Sequence, residues 1–166
     1  MTGGADADVC NELMNAIRSG DYPLAKFLID AGADVNINEP LIMAIKRGGQ
    51  FVKLLLSAGA DVNRGSPLRT AMACGAEGEV VEIVKMLVDA GANVKDDDDD
   101  FPFPLLHMAM CPANTKMFKI NIQIFKILLE AGADVNAKHL SGRTVMEMAK
   151  YKNYTAFIEI LTAASG

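Results

Sequence analysis

The sequence predicts an all-α protein, a solenoid of stacked helix–turn–helix units joined by short or irregular turns. Three observations predict it. The segment AGADVN occurs three times, starting at Ala31, Ala58 and Ala131, and a variant, AGANVK, starts at Ala90. An apolar segment of one fixed pattern precedes each copy. A second, shorter segment lies upstream of that one, with alanine at one shared position.

The segments that precede the repeats are LAKFLID, FVKLLLS, IVKMLVD and IFKILLE, beginning at Leu24, Phe51, Ile83 and Ile124; a fifth, FIEILTA, begins at Phe157. Apolar residues fall at i, i+1, i+3 and i+4 in all five and at i+5 in the first four. Position i+2 holds Lys26, Lys53, Lys85, Lys126 or Glu159. This spacing describes a helix buried around most of its circumference with one charged edge. Gly32, Gly59, Gly91 and Gly132 follow, where a helix ends on a left-handed residue. Asp-Val-Asn then turns the chain away.

The upstream segments are NELMNAI, EPLIMAI, SPLRTAM, PLLHMAM and TVMEMAK, from Asn11, Glu39, Ser66, Pro104 and Thr144. Pro40 and Pro67 stand second in theirs, where a missing N–H costs a helix nothing. Ala16, Ala44, Ala71, Ala109 and Ala149 share one position. A small side chain there lets the two helices of a unit approach closely.

Helix, loop, helix, left-handed glycine and turn make a unit that resembles the ankyrin repeat, whose consensus reads roughly TPLHxA…G…IVKLLLEAGADVN. Five units match, from about Val9 to Ala164. The expected organisation is a single domain over 1–166, with repeats near 9–36, 37–63, 64–95, 96–136 and 137–164. A unit of this kind cannot bury its apolar face alone, so stacking is obligatory and the end units need polar outer faces. Asn11, Glu12 and Asn15 in the first unit, and Glu147, Thr155 and Thr162 in the last, read as such caps. A complete small protein is the corresponding expectation.

Bulk properties exclude several classes. The chain has 166 residues, 51% of them apolar, with a net charge of -5. That is enough apolar material for one core and argues against nucleic acid as the main partner, because phosphate neutralisation needs a basic excess. No apolar run is long enough to span a bilayer, and the N-terminus has no secretory pattern. Cys10, Cys74 and Cys111 are widely spaced and form no CxxC pair. They predict neither a disulfide framework nor a zinc knuckle. The expected location is the cytoplasm, with the nucleus as the other reducing compartment.

The resemblance implies a partner protein held on a concave face made by the inner helices and the turns, or fingers, between units. The two positions that end each inner helix are Arg18-Ser19, Lys46-Arg47, Ala73-Cys74, Cys111-Pro112 and Tyr151-Lys152. They include no carboxylate. Arg64 and Arg143 in the fingers and Arg69 in the second position after Pro67 add charge nearby. The candidate binding stripe is therefore Arg18, Lys46, Arg47, Arg64, Arg69, Arg143, Tyr151 and Lys152, complementary to an acidic segment. Helix C-termini also favour Lys and Arg through the helix dipole, which supplies a structural reason for the same residues. Met43, Met108 and Met148 stand one place before the shared alanine and read first as core fillers.

The fingers depart from the family pattern. Ile37-Asn38 and Arg64-Gly65 are truncated, so the groove beside them is expected to be shallow. Only Ala137–Arg143 approaches full length. The third finger carries Asp96, Asp97, Asp98, Asp99 and Asp100, then Phe101 and Phe103. It reads first as a solvated acidic loop and second as a docking element anchored by the two phenylalanines. A calcium loop starting at Asp96 would need Gly sixth and Glu twelfth, where Phe101 and His107 stand. The long connection in the fourth unit contains Met117, Phe118, Ile120, Ile122 and Ile124. It reads as an outer helix extended at its N-terminus, with an exposed apolar lip as the alternative.

Catalytic patterns are missing: there is no GxxxxGK[ST], HExxH or GxSxG. His107 occupies the family's TPLH position, where it is expected to bond neighbouring turns, and His139 in the last finger is expected to face solvent. No enzyme activity, metal, cofactor or small-molecule substrate is expected. The resemblance also makes Asn36, Asn63 and Asn136 candidates for asparaginyl hydroxylation. The expected function is a non-catalytic adaptor, scaffold or inhibitor, monomeric by itself. The alternatives are a subunit of an assembly held by its convex side or the fourth-unit insertion, and a binder of nucleic acid or acidic lipid through the basic stripe.

Overall fold

The computed structural model describes residues 3–74, 78–95, 103–111 and 115–164, except the side chains of 3–7 and 115–117. Among these residues the chain is all-helical. It forms two compact units, Met1–Ala92 and Asn93–Gly166. The first holds α1 (Gly3–Ser19), α2 (Tyr22–Asp30), α3 (Pro40–Arg47), α4 (Gly49–Ser57), α5 (Pro67–Cys74) and α6 (Val80–Asp89). The second holds α7 (Leu105–Ala109), α8 (Thr115–Glu130), α9 (Val145–Tyr151) and α10 (Thr155–Ala164).

In the first unit the inner helices α1, α3 and α5 pack side by side, and each pairs with the outer helix that follows it. Ala16, Ala44 and Ala71 are buried at the close approaches, and Leu13, Ile17, Ile45, Leu55, Ile83 and Leu87 fill the layer between. Each such aliphatic side chain contributes about 1.5–3 kcal/mol on burial. Lys26, Lys53 and Lys85 point to solvent, as the i+2 pattern requires. The aromatic edge of Tyr22 on α2 meets Phe51 on α4 at 5.7 Å.

The end of each outer helix explains the repeated hexapeptide. Gly32 has φ +95, and it lets the Ala33 N–H reach back to the Leu28 carbonyl at 3.0 Å. This six-to-one bond satisfies a carbonyl that the helix leaves orphaned. The same bond recurs from Ala60 to Leu55 and from Ala92 to Leu87, and in the second unit from Ala133 to Leu128. The Asp then accepts from the backbone two residues on: Asn36 N–H donates to Asp34 Oδ1 at 2.8 Å, and Asn63 N–H to Asp61 Oδ1 at 2.9 Å. These are Asx turns, which short polar side chains form best. Asn36 Oδ1 accepts from the Asp61 N–H at 2.7 Å, so one turn is tied to the next.

Both truncated fingers solve the same steric problem. Two residues must reverse the chain into a helix that begins with proline. The reversal is made by the last finger residue and the residue before proline, both left-handed: Asn38 and Glu39 at φ 62 and 55, and Gly65 and Ser66 at φ 74 and 55. A left-handed L-residue costs roughly 1–2 kcal/mol, and the position before proline disfavours the helical regions further. Glu39→Gly is therefore expected to raise stability by about 0.5–1 kcal/mol in urea unfolding. A loss instead would show that the Glu39 carboxylate, which lies against Gly65, holds the two fingers together.

The connection from α3 to α4 is one residue short of the family spacing. Gly48 bridges it, and no side chain of its own caps α4. The cap comes from the neighbouring repeat, where Glu79 Oε2 accepts the Gly49 N–H.

In the second unit the fourth-repeat insertion is absorbed mainly by α8, which runs 16 residues against nine for α4. Phe118, near its start, is half-buried and meets Phe157 at 5.5 Å and Tyr154 at 6.2 Å. Phe125 completes the cluster, edge-on to Phe157 at 4.9 Å. Ile120 and Ile122 are half-buried and Ile124 is buried. The extended-helix expectation thus describes these residues, and the exposed-lip alternative does not; the Met117 side chain lies outside the described residues. Ala109 and Ala149 are buried like their counterparts in the first unit.

Candidate protein-binding surface

In the first unit the inner helices place three cations at their C-terminal ends. Arg18 on α1 and Lys46 and Arg47 on α3 are all exposed. Arg18 donates to Asn15 Oδ1 one turn earlier, at 3.2 Å. Arg47 lies across the turn of the preceding repeat, and a Cβ built on Gly20 would sit 2.7 Å from its Nη2. Its guanidinium is thereby steered by the glycine's missing side chain, a placement that register alone does not reveal. Arg64 is exposed in its short finger, and Arg69 is half-buried on α5. Cys74, at the end of α5, is exposed, with its thiol directed at the Thr70 carbonyl.

The second unit carries the others. Arg143 lies over the Tyr151 ring, 4.4 Å from its centroid, a cation–π arrangement. Lys152 caps α9 and lies 5.9 Å from the Tyr154 ring. Phe103 is 45% exposed. Asp96, Asp97, Asp98, Asp99, Asp100, Phe101 and Pro112 lie outside the described residues.

The last finger is built around histidines. His107 is buried and its Nε2–H donates to the Arg143 carbonyl at 3.1 Å, across 36 residues of chain. The same carbonyl accepts from the His139 N–H at 2.9 Å. Contrary to the expectation of a solvent-facing ring, His139 is half-buried. Its ring lies between Phe103, at 5.1 Å, and His107, at 5.5 Å. Its Nδ1 accepts from the Ser141 N–H at 3.1 Å.

Helix α9 starts at a capping box. Glu147 N–H donates to Thr144 Oγ1 at 3.3 Å, and Thr144 N–H donates to Glu147 Oε2 at 2.8 Å. That backbone bond, with Lys138 and Arg143 nearby, holds the Glu147 carboxyl below its usual range. The box therefore stabilises α9 above the unfolded-state pKa of the carboxyl, and this is lost as pH falls through the lower folded-state value. The pattern Thr-x-x-Glu was visible in the sequence, where Glu147 was read only as a polar cap residue.

Of the asparagines, Asn36 is half-buried with its Oδ1 engaged by the next turn, whereas Asn63 and Asn136 are exposed. The outer layer offers an open cleft of about 430 Å3 between α2 and α4, lined by Lys26, Ile29, Asp30, Leu54 and Ser57 among others. Lys26 and Asp30 pair there at 2.7 Å, an exposed contact that adds little. Among the described residues no group of three or more His, Cys, Asp or Glu could hold a metal ion, and no helix is long and apolar enough to cross a membrane.

The repeated caps, Asx turns and paired helices agree with a comparison against known families. The family model described as ankyrin repeats (three copies) matches residues 13–98, more than half of the chain. The chain belongs to the ankyrin-repeat family. A curated relative is BRCA1-associated RING domain protein 1 of Caenorhabditis elegans, 34% identical over 138 residues, which cover 83% of this chain. The chain spans 15% of that protein's length. Ankyrin repeats are general protein–protein interaction modules and are typically non-catalytic.

Proposed function

We propose that this ankyrin-repeat chain is a non-catalytic adaptor, scaffold or inhibitor that holds a partner protein on its inner helices and fingers. The proposal takes residues 1–166 as one five-repeat domain, monomeric by itself and working in the cytoplasm or nucleus, and it makes the partner surface acidic. The observation that carries it is the placement of Arg18, Lys46 and Arg47, all exposed at the ends of adjacent inner helices of a chain whose net charge is -5. Cations concentrated against the overall charge favour a complementary partner and speed its encounter. No small molecule is required at this surface.

The test is affinity capture from lysate with the native chain beside an Arg18→Glu, Lys46→Glu, Arg47→Glu variant, after equal helicity is confirmed. A specific partner should be retained by the native chain and weakened at least about tenfold by the variant. Equal retention would contradict the inner-helix surface. One observation favours a second reading, a contact through the outer layer. Phe27 on α2 is 67% exposed, although its counterparts Leu54 and Met86 are half-buried. Loss of the partner with Phe27→Ser and not with the charge reversal would select that reading.

A further inference from the structure

Five large apolar side chains are exposed among the described residues, and three of them, Phe103, Leu140 and Tyr151, belong to the second unit. Contacts within the last finger and α9 tie Phe103 and Tyr151 to the same loop, and Leu140 lies at its tip. Phe103 stacks on His139, whose chain neighbour Leu140 is 70% exposed at the finger tip. The His139 N–H to Arg143 carbonyl bond closes the finger, and Arg143 lies over Tyr151, itself 68% exposed. Buried His107 fixes the base of the finger through the same carbonyl. The finger is thus preformed, and ordering it on binding costs little.

Its rim is basic. Lys138, Lys150 and Lys152 are exposed, and Arg143 is half-buried beside them. The nearest acid on α9, Glu147, already has its carboxylate engaged by the Thr144 N–H. Apolar and aromatic side chains with cations beside them are what an acidic segment with a bulky side chain would match, and Tyr and Arg are the residue types that dominate binding hot spots.

We infer that the last finger and α9 form a docking patch for a short acidic peptide carrying one bulky apolar side chain. That side chain lies against Phe103, Leu140 and Tyr151, and its carboxylates face Arg143, Lys150 and Lys152. The inference rests on the protein-binding reading above and specifies the partner's chemistry for the second unit.

The experiment is selection of displayed random peptides on the full chain, followed by titration of the selected sequences. The expected consensus has several Asp or Glu around one Leu, Ile, Phe or Trp. Leu140→Ser and Tyr151→Ser, both at exposed sites and checked by thermal unfolding, should each weaken the selected peptides at least about tenfold. Replacing the peptide's apolar anchor by Ala should do the same. Failure to enrich any peptide, a consensus without acidic residues, or affinity unchanged in both variants would overturn the inference. So would tighter binding of single-stranded RNA than of the selected peptides at physiological salt. Peptides lost on the Arg18→Glu, Lys46→Glu, Arg47→Glu variant yet kept by Leu140→Ser and Tyr151→Ser would sink the patch and leave the first-unit surface standing.

Discussion

Phe157→Ala is expected to cost about 3–5 kcal/mol of stability. Phe157 is fully buried, and its ring is met by Phe125 at 4.9 Å, Phe118 at 5.5 Å and Tyr154 at 6.0 Å. Truncation removes the transfer energy of the ring and leaves a cavity that the helices on either side cannot close. It also deletes edge-to-face pairs worth about 0.5–1.5 kcal/mol each. A domain of this size has about 5–15 kcal/mol to lose, so the second unit should be the first part to melt. Urea unfolding followed by circular dichroism would show a lower midpoint, or a new early transition in place of one cooperative step. Phe157→Leu, which keeps more apolar volume, should cost less. A loss below about 1 kcal/mol for Phe157→Ala would mean that α8 and α10 do not depend on this cluster.

His107→Ala is expected to cost about 2–3 kcal/mol, from a lost buried hydrogen bond and the space left by the ring. The change should be felt far along the chain, because His107 donates to a carbonyl 36 residues away. Amide exchange at His139 and Gly142, whose N–H groups close the last finger, should accelerate in step with the loss of stability. His107→Gln, which keeps a donor, should recover part of both effects. If exchange in the finger were unchanged in His107→Ala, the finger would be held by its own turn and the histidine would only fill space.

The sequence carried the repeating parts of this structure because the same physical demand recurs in each unit. A shared alanine marks each close helix approach, and glycine marks each left-handed helix end. Pro40 and Pro67 mark two helix starts. The length of α8 was legible from Phe118, Ile120, Ile122 and Ile124, once read as an extended helix. What could not be read is where one unit borrows from another. Glu79 looks like an ordinary surface acid, yet its carboxylate caps α4 of the preceding repeat. Arg47 belongs to the basic set by register, but its path over Gly20 depends on the relation between neighbouring turns. The left-handed pair at Asn38 and Glu39 follows from having two residues to make a reversal, and neither residue type announces it.

The candidate surface was legible as a set of charges and not as a set of anchors. Arg143 and Tyr151 were placed on it separately, whereas the structure stacks one on the other. Leu140 was missed because one apolar residue in a polar loop carries no periodic signal. His139 was read as solvated for the same reason, since ring stacking on Phe103 joins residues distant in sequence.

The most direct test of the central claim, that the inner helices and fingers hold the partner, is a hydrogen-exchange footprint of the full chain with and without the partner recovered by capture. Protection is predicted at the ends of α1 and α3, around Arg18 and Lys46-Arg47, and over the last finger and α9. Protection confined to the outer helices α2, α4 and α6, with the inner-helix ends unchanged, would contradict it.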